Sequence, residues 1–271
     1  MLKRTLTGAA LIIVLVAVLL FLPAWCTGVL LSAMVGMAAN ELLKTTGLVD
    51  NQRLITIAIG IAIAIPWASY FGTDYYRALI VVLAITVLFF SEMLRTHGQL
   101  PFQQVAMSLV AGLLIPFLLC ALVRIRVMEN GVYLIAAPFV MAFMPDTGAY
   151  LVGCAIGKHK LCPNISPKKT VEGLFGGILG GIVGMIVYAL VLKNAFGFQV
   201  NYLYAAIYGA IGAGAATFGD LMFSVIKRQT GIKDYGKLLP GHGGILDRFD
   251  SVTLVAPVAE VLLLILPLAV K

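Results

Sequence analysis

Apolar runs of about 20 residues recur along nearly the whole chain, and nothing else in the sequence restricts the fold as tightly. Coiled as an α-helix, a run of that length spans the hydrocarbon layer of a bilayer. Lipid offers backbone amides no partner, so such a run must satisfy its own N–H and C=O groups, which a helix does. Nine spans follow, at roughly 5–23, 26–43, 54–71, 76–94, 102–123, 132–156, 171–192, 202–226 and 251–270. The expected fold is all-α: a polytopic membrane bundle of about nine transmembrane helices. Residues 1–130 hold the N-terminal helices and 131–271 the helices joined by long polar loops, as one integrated membrane domain.

Composition excludes the alternative of a soluble globule. Only 11% of the 271 residues are charged, against about a quarter in an ordinary soluble domain. The N-terminal MLKRTLTGAALIIVLVAVLLFLPAW has the basic start of a secretory signal, but its apolar run reaches spanning length and no small-x-small site follows cleanly, so an uncleaved first helix is expected. The four cysteines show neither CxxC nor zinc spacing and read as small packing residues.

The net charge of +7 reads as a topology signal and not as a nucleic-acid footprint. With the N-terminus in the cytoplasm, only Arg77, Arg124, Arg126, Lys193 and Lys271 of the 19 lysines and arginines face outward. Both long polar segments, 157–170 and 227–250, then lie on the cytoplasmic side, where nucleotides are. The protein is therefore expected in the cell membrane (the inner one, if bacterial), with its polar site facing the cytoplasm. Positive-inside bias and lipid headgroups account for the other inner charges. They do not account for interleaved Asp, His, Gly and Pro.

The segment SVIKRQTGIKDYGKLLPGHGGILDRFD, from Ser224 to Asp250, is the densest polar block in the chain. Asp247 and Asp250, three apart, share a helix face. With Asp220, from the preceding span, they supply three hard oxygen donors of the kind Mg²⁺ takes, leaving positions for water and phosphate. Lys227, Arg228, Lys233 and Arg248 supply cations for phosphate oxygens. The PGHGG turn adds His242 and backbone N–H groups. The other loop, GKHKLCPNISPKKTVEG, offers Lys158, Lys160, Ser166, Lys168, Lys169 and Thr170 as a phosphate-binding arm, and it contains no P-loop. Acids inside apolar spans are costly and usually functional, which adds Asp146 to the site and leaves Glu260 as a buried hydrogen-bonding group. The glycines at 173, 176, 177, 180, 181 and 184 read as a helix-packing stripe.

The run from Ser224 to Asp250 resembles, without a gap, the C-terminal signature of phosphatidate cytidylyltransferases (CDP-diacylglycerol synthases). DTGAYLVG (146–153), GKHKL (157–161) and SPKKTVEG (166–173) resemble the same family. Val171 and Cys154 stand where that family often has an aromatic residue and an arginine. The resemblance implies transfer of a cytidylyl group from CTP to phosphatidic acid, releasing pyrophosphate. It implies Mg²⁺ on Asp220 and Asp247 with Asp250 and Asp146 in support, and a second cation such as K⁺ beside it. Lys227, Arg228, Lys233 and Arg248 would bind phosphates, and His242 would donate to phosphate or carry a proton to pyrophosphate. Lys158, Ser166, Lys168, Lys169 and Thr170 would close over the nucleotide, and a homodimer is permitted. A transporter using the buried acids, or another membrane lipid phosphotransferase or kinase, are the competing readings.

Overall fold

The protein is described by a computed structural model that covers residues 13–72, 75–236 and 243–270. Seven helices among these residues are long and apolar enough to cross a membrane: Ala24–Thr45, Gln52–Phe71, Ala78–Arg95, Phe102–Val127, Gly131–Ile156, Val171–Phe196 and Tyr202–Gln229. The chain is thus a mostly helical integral membrane protein. Of the expected span at 5–23, residues 5–12 lie outside the described residues and 13–21 are helical, with a π-helical turn at Ala17–Phe21. That at 251–270 coincides with a helix, Leu246–Ile265, that opens on Asp247, Arg248 and Asp250 and is not among the seven.

The chain divides into two compact units, Met1–Val127 with Gln229–Arg248, and Met128–Arg228 with Phe249–Lys271. In the first, α1 (Ala24–Asn40) runs on into a π-helical turn at Glu41–Thr45. Helix α2 (Gln52–Phe71) is capped by Asn51, whose side chain accepts from the N–H groups of Arg53 and Leu54. It lies close against α1 at Gly36, where an added Cβ would meet Ile63, and the Ser32 hydroxyl donates to the Ile63 carbonyl at 3.0 Å.

Helix α3 (Tyr75–Arg95) leaves Ile80, Leu83 and Val87 more than half exposed, an apolar surface suited to lipid contact. The stretch after it is broken into α4 (Phe102–Leu109), a π turn (Val110–Leu114), α5 (Ile115–Leu119) and α6 (Ala121–Val127). Pro116, with no N–H to give, sits at the start of α5 where a helix tolerates it. Gly112 meets the backbone of Ala58 in α2.

In the second unit, α7 (Gly131–Leu134) and α8 (Ala137–Ile156) precede a β-hairpin of β1 (Lys160–Cys162) and β2 (Ser166–Thr170). The segment expected as an open polar loop is therefore a short antiparallel ladder. Helices α9 (Val171–Phe196) and α10 (Tyr202–Gln229) follow. The unit ends with α11 (Leu246–Ile265), whose first three residues belong to the first unit, and with a two-residue pairing of β3 (Gln199–Val200) and β4 (Ala269–Val270).

The glycine stripe acts within the chain. Gly176 and Gly180 lie against Gly148 of α8, and Gly181 against the Gly209 carbonyl of α10, too close for any side chain. That close approach of backbones is what small residues provide where burial in water cannot drive helices together. Cys120 is fully buried, as a packing residue should be, whereas Cys154 is exposed.

Candidate active site

Asp220 lies near the C-terminal end of α10, two turns before the basic pair Lys227 and Arg228. Its neighbour Gly219 allows α10 to press on α11: a Cβ at 219 would stand 2.8 Å from the Asp250 carbonyl oxygen. The approach brings the Asp220 and Asp250 carboxyl groups within hydrogen-bonding reach of each other, with Lys227 in electrostatic range. Burial, and then the Asp220 charge, push the Asp250 carboxyl up to about 7. Asp250 stands in the second turn of α11, outside the seven spans. Two carboxylates so close need a proton or a cation between them.

Lys169, in β2, reaches the other side of Asp220, its Nζ 2.5 Å from Oδ2. Asp146, from α8, is within electrostatic range of both. These residues line a cleft of about 310 Å³ together with Tyr150, Lys168, Thr170 and Thr217. Its size is at the lower end of that of small-molecule sites. Cation, acids and hydroxyls converge there from the hairpin, α8 and α10.

The hairpin is itself anchored. Thr170 caps α9 by accepting from the Gly173 N–H at 3.1 Å. Glu172 accepts from the N–H groups of Lys158 and His159 and meets His159 Nδ1 at 2.6 Å. Arg228 lies with Nε donating to the Ile165 carbonyl, next to Ser166. Lys158 is exposed. The second unit therefore gathers Asp146, Lys168, Lys169, Thr170 and Asp250 around Asp220, with Lys227 near Asp250, and puts Arg228 and Ser166 side by side at the hairpin. His159 stands at the surface as the partner of Glu172. The acid that closes the hairpin could have been suspected from its place two residues after the capping threonine.

In the first unit Asp247 is buried, and its Oδ2 accepts from the N–H groups of Tyr235 at 2.8 Å and Gly244 at 3.0 Å. Lys233 and Arg248 are exposed. His242, expected as a donor or proton carrier, lies outside the described residues. Glu41, which sequence reasoning passed over as the polar end of a span, is buried beside the same segment and accepts from the Ile245 and Leu246 N–H groups.

Among the described residues no three His, Cys, Asp or Glu side chains converge tightly enough to hold a metal by themselves. The Asp220–Asp250 pair nevertheless fits Mg²⁺, which is commonly held by one or two carboxylates and completes its shell with water and substrate phosphates.

Residues 2–266 match the cytidylyltransferase family. A phosphatidate cytidylyltransferase of Bacillus subtilis is 32% identical over 94% of this chain and 94% of its own. Phosphatidate cytidylyltransferases of Staphylococcus haemolyticus and Staphylococcus aureus are each 32% identical over 96% of this chain and 98% of theirs.

Proposed function

The chain belongs to the cytidylyltransferase family, and on that premise we propose that it is a membrane nucleotidyltransferase that makes CDP-diacylglycerol from CTP and phosphatidic acid. The observation that carries this reading is the cleft in which Lys168, Lys169 and Thr170 face Asp146 and Asp220. Acid and base on facing walls suit a ligand that is itself an anion carrying a cation. A transporter has no need of that pairing in a helix-capped hairpin, and the family match speaks for an enzyme.

The phosphate of phosphatidic acid is already a nucleophile at neutral pH. It attacks the α-phosphorus of CTP, a new P–O bond forms, and the bond to the bridging oxygen breaks so that pyrophosphate leaves. No strong base is called for. The difficulty is to bring two polyanions together and to stabilise charge on the departing pyrophosphate, so positioning and electrostatics dominate. Bound Mg²⁺ would neutralise phosphate charge and orient the triphosphate.

Asp220 and Asp250 would hold that ion, with Asp146 in support. Asp247, assigned to the ion by family resemblance, also fixes the backbone of residues 235 and 244. Lys168, Lys169 and Thr170 would bind nucleotide phosphates, joined by Ser166 and Lys158 as the hairpin closes. Lys227, Arg228, Lys233 and Arg248 would serve the lipid phosphate and pyrophosphate, and His242 the leaving group. The acyl chains would stay in the bilayer, with the reaction at its cytoplasmic face. K⁺ as a second cation and a homodimer remain part of the proposal from resemblance alone.

The test uses purified protein in detergent with phosphatidic acid and CTP labelled in the cytidine. Label recovered in lipid, dependent on Mg²⁺ and abolished in Asp220→Asn, supports the reading. Folded protein that labels no lipid across several detergents and acyl chains overturns it.

A further inference from the structure

Glu41 stands where α1 stops being an α-helix. The π-helical turn begins at this residue, and such turns inside longer helices often mark functional positions. The side chain is 7% exposed, in a place where a span would normally present an apolar residue. Its Oε1 accepts from the Ile245 N–H at 3.1 Å and its Oε2 from the Leu246 N–H at 3.0 Å. Those are donors at the very start of α11, where no intrahelical acceptor exists and where the helix dipole favours an anion.

The next residue, Asp247, holds the same stretch through Tyr235 and Gly244. Two carboxylates, one from α1 and one from α11 itself, thus fix four backbone N–H groups between residues 235 and 246. Glycine at 236 and 244 leaves room for the Glu41 carboxylate in this position. A Cβ at 236 would lie 2.5 Å from Glu41 Oε1, and one at 244 would also collide with the Glu41 carboxylate.

We infer that Glu41 is a positioning residue for the transfer reaction, holding the first turn of the helix that carries Asp247 and Arg248 in its working orientation. The inference depends on the function proposed above. Two parallel, charge-assisted bonds from consecutive residues fix both the direction and the rotation of that turn. Glutamine at 41 keeps the size but turns an amide N–H₂ toward one of the two donors. Aspartate keeps the charge but is one methylene short of reaching both. Because Glu41 meets only backbone, its loss should lower turnover and leave affinity for CTP nearly alone, while affinity for phosphatidic acid changes only through the displaced Arg248.

The experiment is a comparison of full-length wild type, Glu41→Gln, Gly244→Ala and the double variant in detergent, with kcat and KM for CTP and phosphatidic acid. Hydrogen exchange of the 243–247 amides is read in parallel. Displacing a catalytic element by about 1 Å costs on the order of a hundredfold in rate, so kcat in Glu41→Gln should fall about 10- to 100-fold. KM for CTP should stay within about threefold, and exchange at 245 and 246 should accelerate. Gly244→Ala pushes on the same carboxylate, so adding Glu41→Gln to it should cost little more, a non-additivity that independent damage would not give. Wild-type turnover in Glu41→Gln overturns the inference, as do unchanged exchange at 245 and 246, additive losses, or a rise in KM for CTP that matches the fall in kcat. Wild type that labels no lipid counts against the proposed reaction, while the exchange measurement still decides whether Glu41 holds the turn.

Discussion

Gly219 lies directly against the backbone of Asp250, and that contact sets the distance between Asp220 and its acidic partner. Alanine is the better helix former by up to about 1 kcal/mol, so Gly219→Ala in a free helix would be stabilising. Here the methyl group would stand 2.8 Å from a carbonyl oxygen, and backbone cannot rotate away. Overpacking of this kind costs about 1–3 kcal/mol. The variant should melt several degrees lower and lose at least tenfold in activity. A rise in melting temperature with full activity would mean that the two helices are free to separate at this point.

The Lys169–Asp220 pair is partly exposed, each side chain about a quarter accessible, so its direct contribution to stability should be under about 1 kcal/mol. Its importance is chemical. Lys169→Met should leave the melting temperature within a few degrees and raise KM for CTP by about tenfold or more. Asp220→Asn should lose at least a hundredfold in kcat with a similarly intact fold. Steady-state kinetics on the two variants, with thermal unfolding in the same detergent, separates the roles. Equal effects of both on kcat alone would remove Lys169 from nucleotide binding.

How much of this could be read from the chain depends on whether the information was local. Membrane helices are local: each must satisfy its own backbone, so length and apolarity announced the seven spans, and small residues announced the faces that pack. The β-hairpin at 160–170 gave no such signal, because its strands are three and five residues long and are held by a capping threonine and by Glu172 across the turn. Asp220 and Asp146 stood out as acids in oil. Glu41 did not, since it closes an apolar run three residues before Lys44, where charge is cheap. Its partners lie some 200 positions away, and no periodicity connects residue 41 with residues 245 and 246.

Glu172 joins the two ends of the hairpin, and glutamine there would weaken its bonds to the Lys158 and His159 N–H groups and to the imidazole. Glu172→Gln should therefore loosen the arm that carries Lys168 and Lys169 without disturbing the helices. The expected result is a KM for CTP raised about three- to tenfold, unchanged KM for phosphatidic acid, and faster proteolysis between residues 157 and 170. A fall in kcat with normal KM would show that the arm acts after nucleotide binding.

Gly180 tests whether the glycine stripe packs within one chain. A side chain at 180 would meet the Met144 carbonyl at 2.9 Å and the Gly148 Cα at 3.0 Å, both in the same unit. Gly180→Val should therefore destabilise the protomer, by about 1–3 kcal/mol or more, and leave its particle mass in detergent unchanged. Mass photometry or light scattering beside thermal unfolding checks this. A shift in mass at unchanged stability would make the stripe an interface between copies.

Removal of divalent ions should reveal how the cation is shared. With no group of three ligating side chains among the described residues, the protein alone should bind Mg²⁺ weakly, and CTP should supply the remaining oxygens. Chelation should then abolish lipid labelling, and added Mg²⁺ should restore it fully, without the unfolding that removal of a structural metal causes. The Mg²⁺ concentration for half-maximal rate should fall as CTP is raised, because ion and nucleotide arrive together. Asp250→Asn removes one carboxylate of the pair and should raise that concentration about 10- to 100-fold, in line with losses seen when metal-site partners are removed. The same variant should not lower the melting temperature, since in the metal-free protein the half-buried Asp250 carboxyl is already hard to ionise beside Asp220. Half-saturation independent of CTP, with metal retained through gel filtration, would instead assign the ion to a preformed protein site and require a third protein ligand.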